Sequence, residues 1–337
     1  MLWNQRSWRA AAVFGALALA PASAKADAGG VGFWLPGGMG SLSAVPGQPG
    51  WSITSLYLHV EANAGSGKEL QNNASVVTGL HARADAIAFL PAYTFATPVL
   101  GGQLTIGAAG VPGNVGLNIG ATLTGPRGNQ ITGNAHDERT TFADVYYLAT
   151  LKWNQGVNNY MWYVLGNIPS GTYDSTRLAN LSPGYTAIDS GFGYTYLNPA
   201  TGNEFSAVAG LTYSGMNDAL QYRNGIDFHF DWAASHFISK SVHVGVAGYV
   251  YQQLTGDSGA GAKLGDFKGH SVGIGPQIGI FFPAWEGYMG YLNIRGYWDV
   301  VTENRPTTQT AMVTLSFAPS APEKPATPRG PRHVKAP

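Results

Sequence analysis

Three groups of residues carry side chains that could act together. Asp227, His229 and Asp231 recur at every second position, as do Asn293, Arg295, Tyr297 and Asp299. Asp144, Tyr146 and Lys152 form a third set on one parity. Two carboxylates flanking an imidazole could hold a metal ion or orient a substrate hydroxyl. The period-two spacing argues against the metal. Alternate side chains of a strand share a face but sit about 7 Å apart, too far to converge tightly. No metal and no cofactor are therefore expected, and hydrated polar stripes are the plain reading. Arg295 must avoid lipid, where an arginine at the bilayer centre costs about 2–4 kcal/mol in a barrel. It is expected to pair with Asp227, Asp231 or Asp299.

Other constellations carry less. Gly256-Asp257-Ser258-Gly259 and Gly261-Ala262-Lys263-Leu264 look like protease and phosphate-loop fragments. The second lacks the glycine before lysine and the hydroxyl residue after it that phosphate binding requires. Ser235-His236 and His270-Ser271 are chain neighbours. Adjacent strand side chains point to opposite faces, so neither is a nucleophile–base pair. No catalytic residue is expected. The absence of cysteine removes thiolate chemistry and disulfides.

The elements that position these stripes are strands. Phe228, Phe230 and Trp232 alternate with the first stripe, and Leu292, Ile294, Trp298 and Val300 with the second. Val242, Val244 and Val246, and Val313, Leu315 and Phe317, alternate with polar or small neighbours. Only 11% of residues are charged while 45% are apolar, against about a quarter charged in ordinary soluble domains. A β-sandwich would turn the apolar faces inward; a transmembrane barrel would turn them toward lipid. Alternating runs of about 10–15 residues exceed the usual soluble strand and are long enough to cross a tilted bilayer. Trp153, Tyr160, Trp162, Tyr194, Tyr196, Phe281, Phe282, Trp285 and Trp298 lie toward strand ends, where interfacial girdles place aromatics.

Link lengths also alternate. Short links are expected at 97–101, 154–157, 198–203, 239–241 and 283–287, and long polar ones at 63–79, 125–141, 171–185, 217–224, 255–268 and 301–307. Short periplasmic turns and long outer loops have this pattern. It requires residues 102–124 to be one strand. The apolar parity there changes from Leu104, Ile106 and Ala108 to Val115, Leu117 and Ile119, so a β-bulge is expected at Val111-Pro112-Gly113. The expectation is a twelve-stranded antiparallel transmembrane β-barrel over 51–318, with both termini periplasmic and the last strand ending at Phe317.

Residues 1–26 have the form of a cleaved secretory signal: Arg6 and Arg9, an apolar run, then Ala-rich positions ending at Ala26. Residues 27–50 are rich in Gly and Pro and carry Phe33, Trp34, Leu35 and Met39. This segment either enters the lumen as a plug or simply leads into the first strand. Residues 319–337 read as a disordered tail rich in Pro and Ala. The expected partners are outer-membrane lipid and a small ligand. Zero net charge gives no reason to expect nucleic acid.

Several segments carry a family likeness: GFWLPGGMGSLSAVPGQPGW (32–51), YTFATPVLGG (93–102), LKWNQGVNNYMWY (151–163), RLANL (177–181), NGIDFHFDW (224–232), YQQLTGDSGAGAKLGDFKG (251–269) and GPQIGIFFP (275–283). With them the chain resembles the outer-membrane proteins named for the meta-pathway of phenol degradation, which are distantly similar to FadL-type transporters. The resemblance implies a monomeric Gram-negative outer-membrane barrel that passes small hydrophobic or aromatic compounds such as phenols. FadL-type barrels have more strands and a fuller N-terminal plug. The rival readings are a general small-solute porin, a structural outer-membrane barrel and an embedded lipid hydrolase.

Overall fold

The computed structural model describes residues 32–72, 75–124, 130–262 and 268–321. The expected signal segment and most of the expected tail lie outside them, as do Lys263 and Leu264. The described residues form fourteen strands: β1 (Gly50–Asn72), β2 (Ser75–Thr94), β3 (Gln103–Ala109), β4 (Pro112–Thr124), β5 (Gln130–Phe142), β6 (Val145–Gln155), β7 (Asn158–Ile168), β8 (Ala187–Asn198), β9 (Asn203–Ser214), β10 (Asp227–Phe237), β11 (Val242–Gln253), β12 (His270–Pro283), β13 (Tyr288–Glu303) and β14 (Thr307–Pro319). All pairings are antiparallel. β1 pairs with both β14 and β2, which closes the sheet. β3 bridges β2 to β6, and β4–β5 form a hairpin extending from β2. With that hairpin set aside, twelve strands close the barrel.

Closure removes unpaired edges, which a lipid environment tolerates poorly. The alternation sets the faces. On β10, Asp227, His229 and Asp231 are buried inside, and on β13 Ile294, Trp298 and Val300 are exposed outside. Turns at 95–102, 156–157, 199–202, 238–241 and 284–287 mark one end of the barrel, and the longer connections mark the other. Aromatics gather at the short-turn end, where Trp285 packs on Tyr288 and Phe317, and Tyr160 on Tyr194. Phe281 departs from the expected girdle. It turns inward against Phe237 and stacks on Tyr291.

Three sequence expectations fail, two of them for one physical reason. The links expected at 63–79 and 125–141 are mostly strand, because β1, β2, β4 and β5 continue through them. The bulge expected at Val111-Pro112-Gly113 is absent. Ala92 pairs with Gly107, Phe89 with Gly110 and Ala86 with Gly113, an unbroken register along β2. The extra residue lies on the returning chain instead, between Phe142 and Val145, where β4 pairs with β5 one residue out of step from β3 with β6. What changes along β3 and β4 is the chemistry of each face. Toward the long-loop end the outer face becomes polar, with His59 Nδ1 2.8 Å from Asp85 Oδ1 and Arg83 Nε donating to Asp85 Oδ2 at 2.9 Å. The inner face becomes apolar, with Ala64, Leu80 and Leu117 buried together beneath Leu178. The third departure is small: β14 runs on to Pro319, past Phe317.

Candidate functional site: the strap and the inner wall

Residues 32–49 run inside the barrel as a strap, bonded to inward side chains. The wall matches the strap's backbone group by group. Acids and hydroxyls accept from its N–H groups: Gly37 N and Met39 N donate to Asp231 Oδ1 and Oδ2, both at 3.0 Å. Leu42 N donates to Glu204 Oε1 at 3.1 Å and Ser206 Oγ at 2.9 Å, and Ala44 N to Thr195 Oγ1 at 3.1 Å. Donors meet its carbonyls: Arg295 Nη2 reaches Gly38 O at 2.8 Å, Tyr297 OH reaches Gly37 O at 3.1 Å and Lys152 Nζ reaches Val45 O at 3.3 Å. Ser41 Oγ donates to Glu204 Oε2 and accepts from Gln277 Nε2, each at 2.8 Å. An irregular buried segment must satisfy its backbone this way, since an unpaired buried polar group costs about 1–3 kcal/mol. Glycine is needed for the approach. A Cβ at Gly40 would come within 2.0 Å of Arg295 Nη1.

The strap's aromatic end sits on a second network. The Trp34 ring stacks on the His229 ring, centroids 3.5 Å apart and planes 10° apart. His229 Nε2 is 3.0 Å from Asp189 Oδ2. Tyr163 OH donates to Asp189 Oδ1 at 2.6 Å, and Thr212 Oγ1 to Asp189 Oδ2 at 2.5 Å. Tyr163 OH also lies 3.1 Å from His229 Nε2, so the hydroxyls, the imidazole and the carboxylate form one buried network. The site leaves room for these rings through Gly210, where a Cβ would come within 2.1 Å of Tyr163 OH. Phe33 packs on Tyr146 at 5.8 Å between centroids, and Leu35 packs against the cluster containing Tyr249, Tyr297 and Met312.

The expected stripes are thus divided among tasks. Asp231, Arg295 and Tyr297 hold the strap, and His229 carries Trp34. Asp299 instead binds the wall, accepting from Thr308 N at 2.6 Å, and Asn293 Nδ2 donates to Ile278 O at 3.2 Å. Asp227 lies buried on the same face as His229, nearer the long loops. Asp144 accepts from Gly171 N at 2.9 Å and from Asn167 and Ser182, tying down the β7–β8 connection. The pairing expected for Arg295 is overturned. Among the described residues no ion pair joins it to Asp227, Asp231 or Asp299, because the Gly38 carbonyl takes its guanidinium. Asp189, Glu204, Tyr163 and Thr212 were not anticipated. A signal was present for Glu204 and Thr212, since Glu204, Ser206 and Thr212 alternate with Phe205, Ala207 and Leu211; around Asp189 it was weaker, because Ser190 interrupts the apolar positions Ile188 and Phe192.

The chain is similar in fold to the COG4313 outer membrane channel from Pseudomonas putida F1, with a TM-score of 0.63 and 13% identity over 82% of this chain and 96% of that one. A Pseudomonas aeruginosa FadL homologue aligns at a TM-score of 0.39 and 10% identity, covering 88% of this chain and 98% of its own. The CymD monoaromatic hydrocarbon channel aligns at 0.40 and 7%, covering 81% and 89%. No curated protein matches. The family model spans residues 66–315, nearly the whole closed sheet but not the strap, and the chain belongs to the family described as "Putative MetA-pathway of phenol degradation".

Proposed function

We propose that this protein is an outer-membrane channel of a Gram-negative bacterium that passes small hydrophobic or aromatic compounds, phenol-like in size. One observation carries the reading: the reversal of polarity on β1, β2 and β4. Near the long loops the inward positions are Val60, Ala62, Ala64, Leu80, Ala82, Ala84, Ala86, Val115 and Leu117, with no charge among them. A porin for polar solutes has a hydrated polar interior. Here an apolar solute meets an apolar sector of the wall first, beside the face of β5 that carries Asp137 and Arg139, then the strap's Phe33, Trp34 and Leu35. At the short-turn end it meets Phe237, Phe281 and Tyr291. Burial and stacking on such surfaces favour passage without an energy source.

In this reading residues 1–26 are a removed export signal and the short turns face the periplasm. The strap is a plug that must shift for a solute to pass. The assignment to phenols has support from the family's name and from the apolar sector on β1, β2 and β4. The test is uptake of radiolabelled phenol, toluene and a long-chain fatty acid at low concentration, in a deletion strain and its complemented parent. Loss of phenol and toluene uptake alone is expected. Equal uptake of all three by both strains overturns the proposal.

A further inference from the structure

A cavity of ≈ 300 Å³ opens at the short-turn end, away from Trp34, lined by Pro46, Phe95, Pro98, Gln103, Lys152 and Asn154 among others. That volume is at the low end of small-molecule sites. Its apolar side is formed by two proline rings and a phenyl ring. Its polar side is unusual. Lys152 carries three N–H donors and uses one, on Val45 O at 3.3 Å. Among the described residues no carboxylate pairs with it within 4.0 Å. Gln103 Oε1 has no hydrogen-bond partner and is closed to water as it stands, so a ligand hydroxyl reaches it when the glutamine side chain turns toward the cavity it lines. Gln103 and Lys152 are directly opposed in the β3–β6 register, so both project to one face with Cβ atoms about 4.5–5.5 Å apart.

The site therefore offers a spare cationic donor and a spare acceptor side by side, next to an apolar wall. A carboxylate satisfies the ammonium but brings no proton for Gln103 Oε1. An ether or a hydrocarbon fails one group or both. A hydroxyl answers both, accepting from Lys152 Nζ and donating to Gln103 Oε1. We infer that this cavity is a binding station for a small apolar molecule bearing one hydroxyl group, of which phenol is the simplest aromatic case. The inference rests on the channel reading and adds to it a reason for hydroxyl selectivity. Toluene would cross the same barrel without pausing here. The station lies beside Val45 and Pro46, where the strap leaves the wall, so a bound hydroxyl compound also touches the strap.

The test is calorimetric titration of the purified full-length barrel in detergent with phenol, anisole, toluene and benzoate. Phenol is expected to bind at least about tenfold more tightly than anisole or toluene, since hydrogen bonds to a charged group contribute about 1.5–3 kcal/mol. Lys152→Met and Gln103→Leu should each remove that preference by weakening phenol binding relative to toluene. Heat-modifiable migration on gels checks that each variant is folded, and Gln103→Leu, which leaves the strap's Lys152 contact in place, serves if Lys152→Met does not fold. Equal binding of phenol and anisole by the wild type, or an undiminished preference in a folded variant, overturns the inference. Toluene flux into liposomes carrying the wild-type barrel is the separate control. Absent flux overturns the channel reading, whereas flux with no phenol preference overturns only the station.

Discussion

Asp231 lies on β10 with each carboxylate oxygen accepting one strap N–H at 3.0 Å. Bonds to a charged acceptor are worth about 1.5–3 kcal/mol each, offset in part by the cost of burying the carboxylate. Asp231→Ala should therefore weaken the strap's hold by more than about 1.4 kcal/mol, a factor of ten in the population with the strap undocked. In planar bilayers this variant is expected to conduct more often than the wild type, while folding as the same heat-modifiable species. Unchanged conductance would mean that the strap does not limit passage. Period two in the sequence puts Asp231, His229 and Arg295 on the polar face of their strands, the face that is buried here. It could not tell that Arg295 meets a backbone carbonyl rather than an acid. That choice depends on a segment more than 250 residues away, Gly38 to Arg295, and a local pattern contains no record of it.

Strand pairing and face chemistry belong to the elements, and here the sequence misled in an instructive way. Val115, Leu117 and Ile119 read as lipid-facing because apolar residues in a barrel normally are. They face inward, since β4 has risen past the apolar band and its outer face is polar. Polar runs at 63–79 and 125–141 looked like loops for the same reason: strands outside the bilayer no longer need an apolar face. The change from exposed Ile87 to ion-paired Asp85 on β2 puts the proposed boundary between them, and substitutions on either side should differ. Phe192, 72% exposed on the outer face of β8, should cost about 2–4 kcal/mol as Phe192→Arg, the depth-dependent penalty of a mid-bilayer arginine. Arg83→Leu, above the boundary, should change the urea midpoint little, because its pair with Asp85 is exposed. Similar losses at both positions would place the boundary elsewhere. The strap is the other separable element. Deleting residues 33–45 removes its contacts with Asp231, Glu204 and Thr195 and leaves the β1–β2 and β1–β14 pairings that close the barrel. The deleted form should fold and show a larger single-channel conductance. An unfolded product would make the strap part of the core rather than a plug.

At the scale of the molecule, the proposed orientation rests on the asymmetry of the two ends. Five turns of a few residues close one end, together with the start of β1 and the end of β14; the longer connections, including 215–226 and 254–269, stand at the other. Outer-membrane barrels carry short periplasmic turns and longer outer loops, so the proposed orientation puts the short turns in the periplasm. Because the chain contains no cysteine, single introduced thiols report each end without background. Ser258→Cys lies exposed in the β11–β12 connection and Ser239→Cys in a short turn. In intact cells a membrane-impermeant maleimide should label Ser258→Cys and spare Ser239→Cys until the outer membrane is permeabilised. The reverse pattern would put the apolar inner wall of β1, β2 and β4 at the periplasmic mouth and the Lys152 cavity at the cell surface. A compound would then meet the hydroxyl station before the strap, and the barrel would be arranged for export rather than capture.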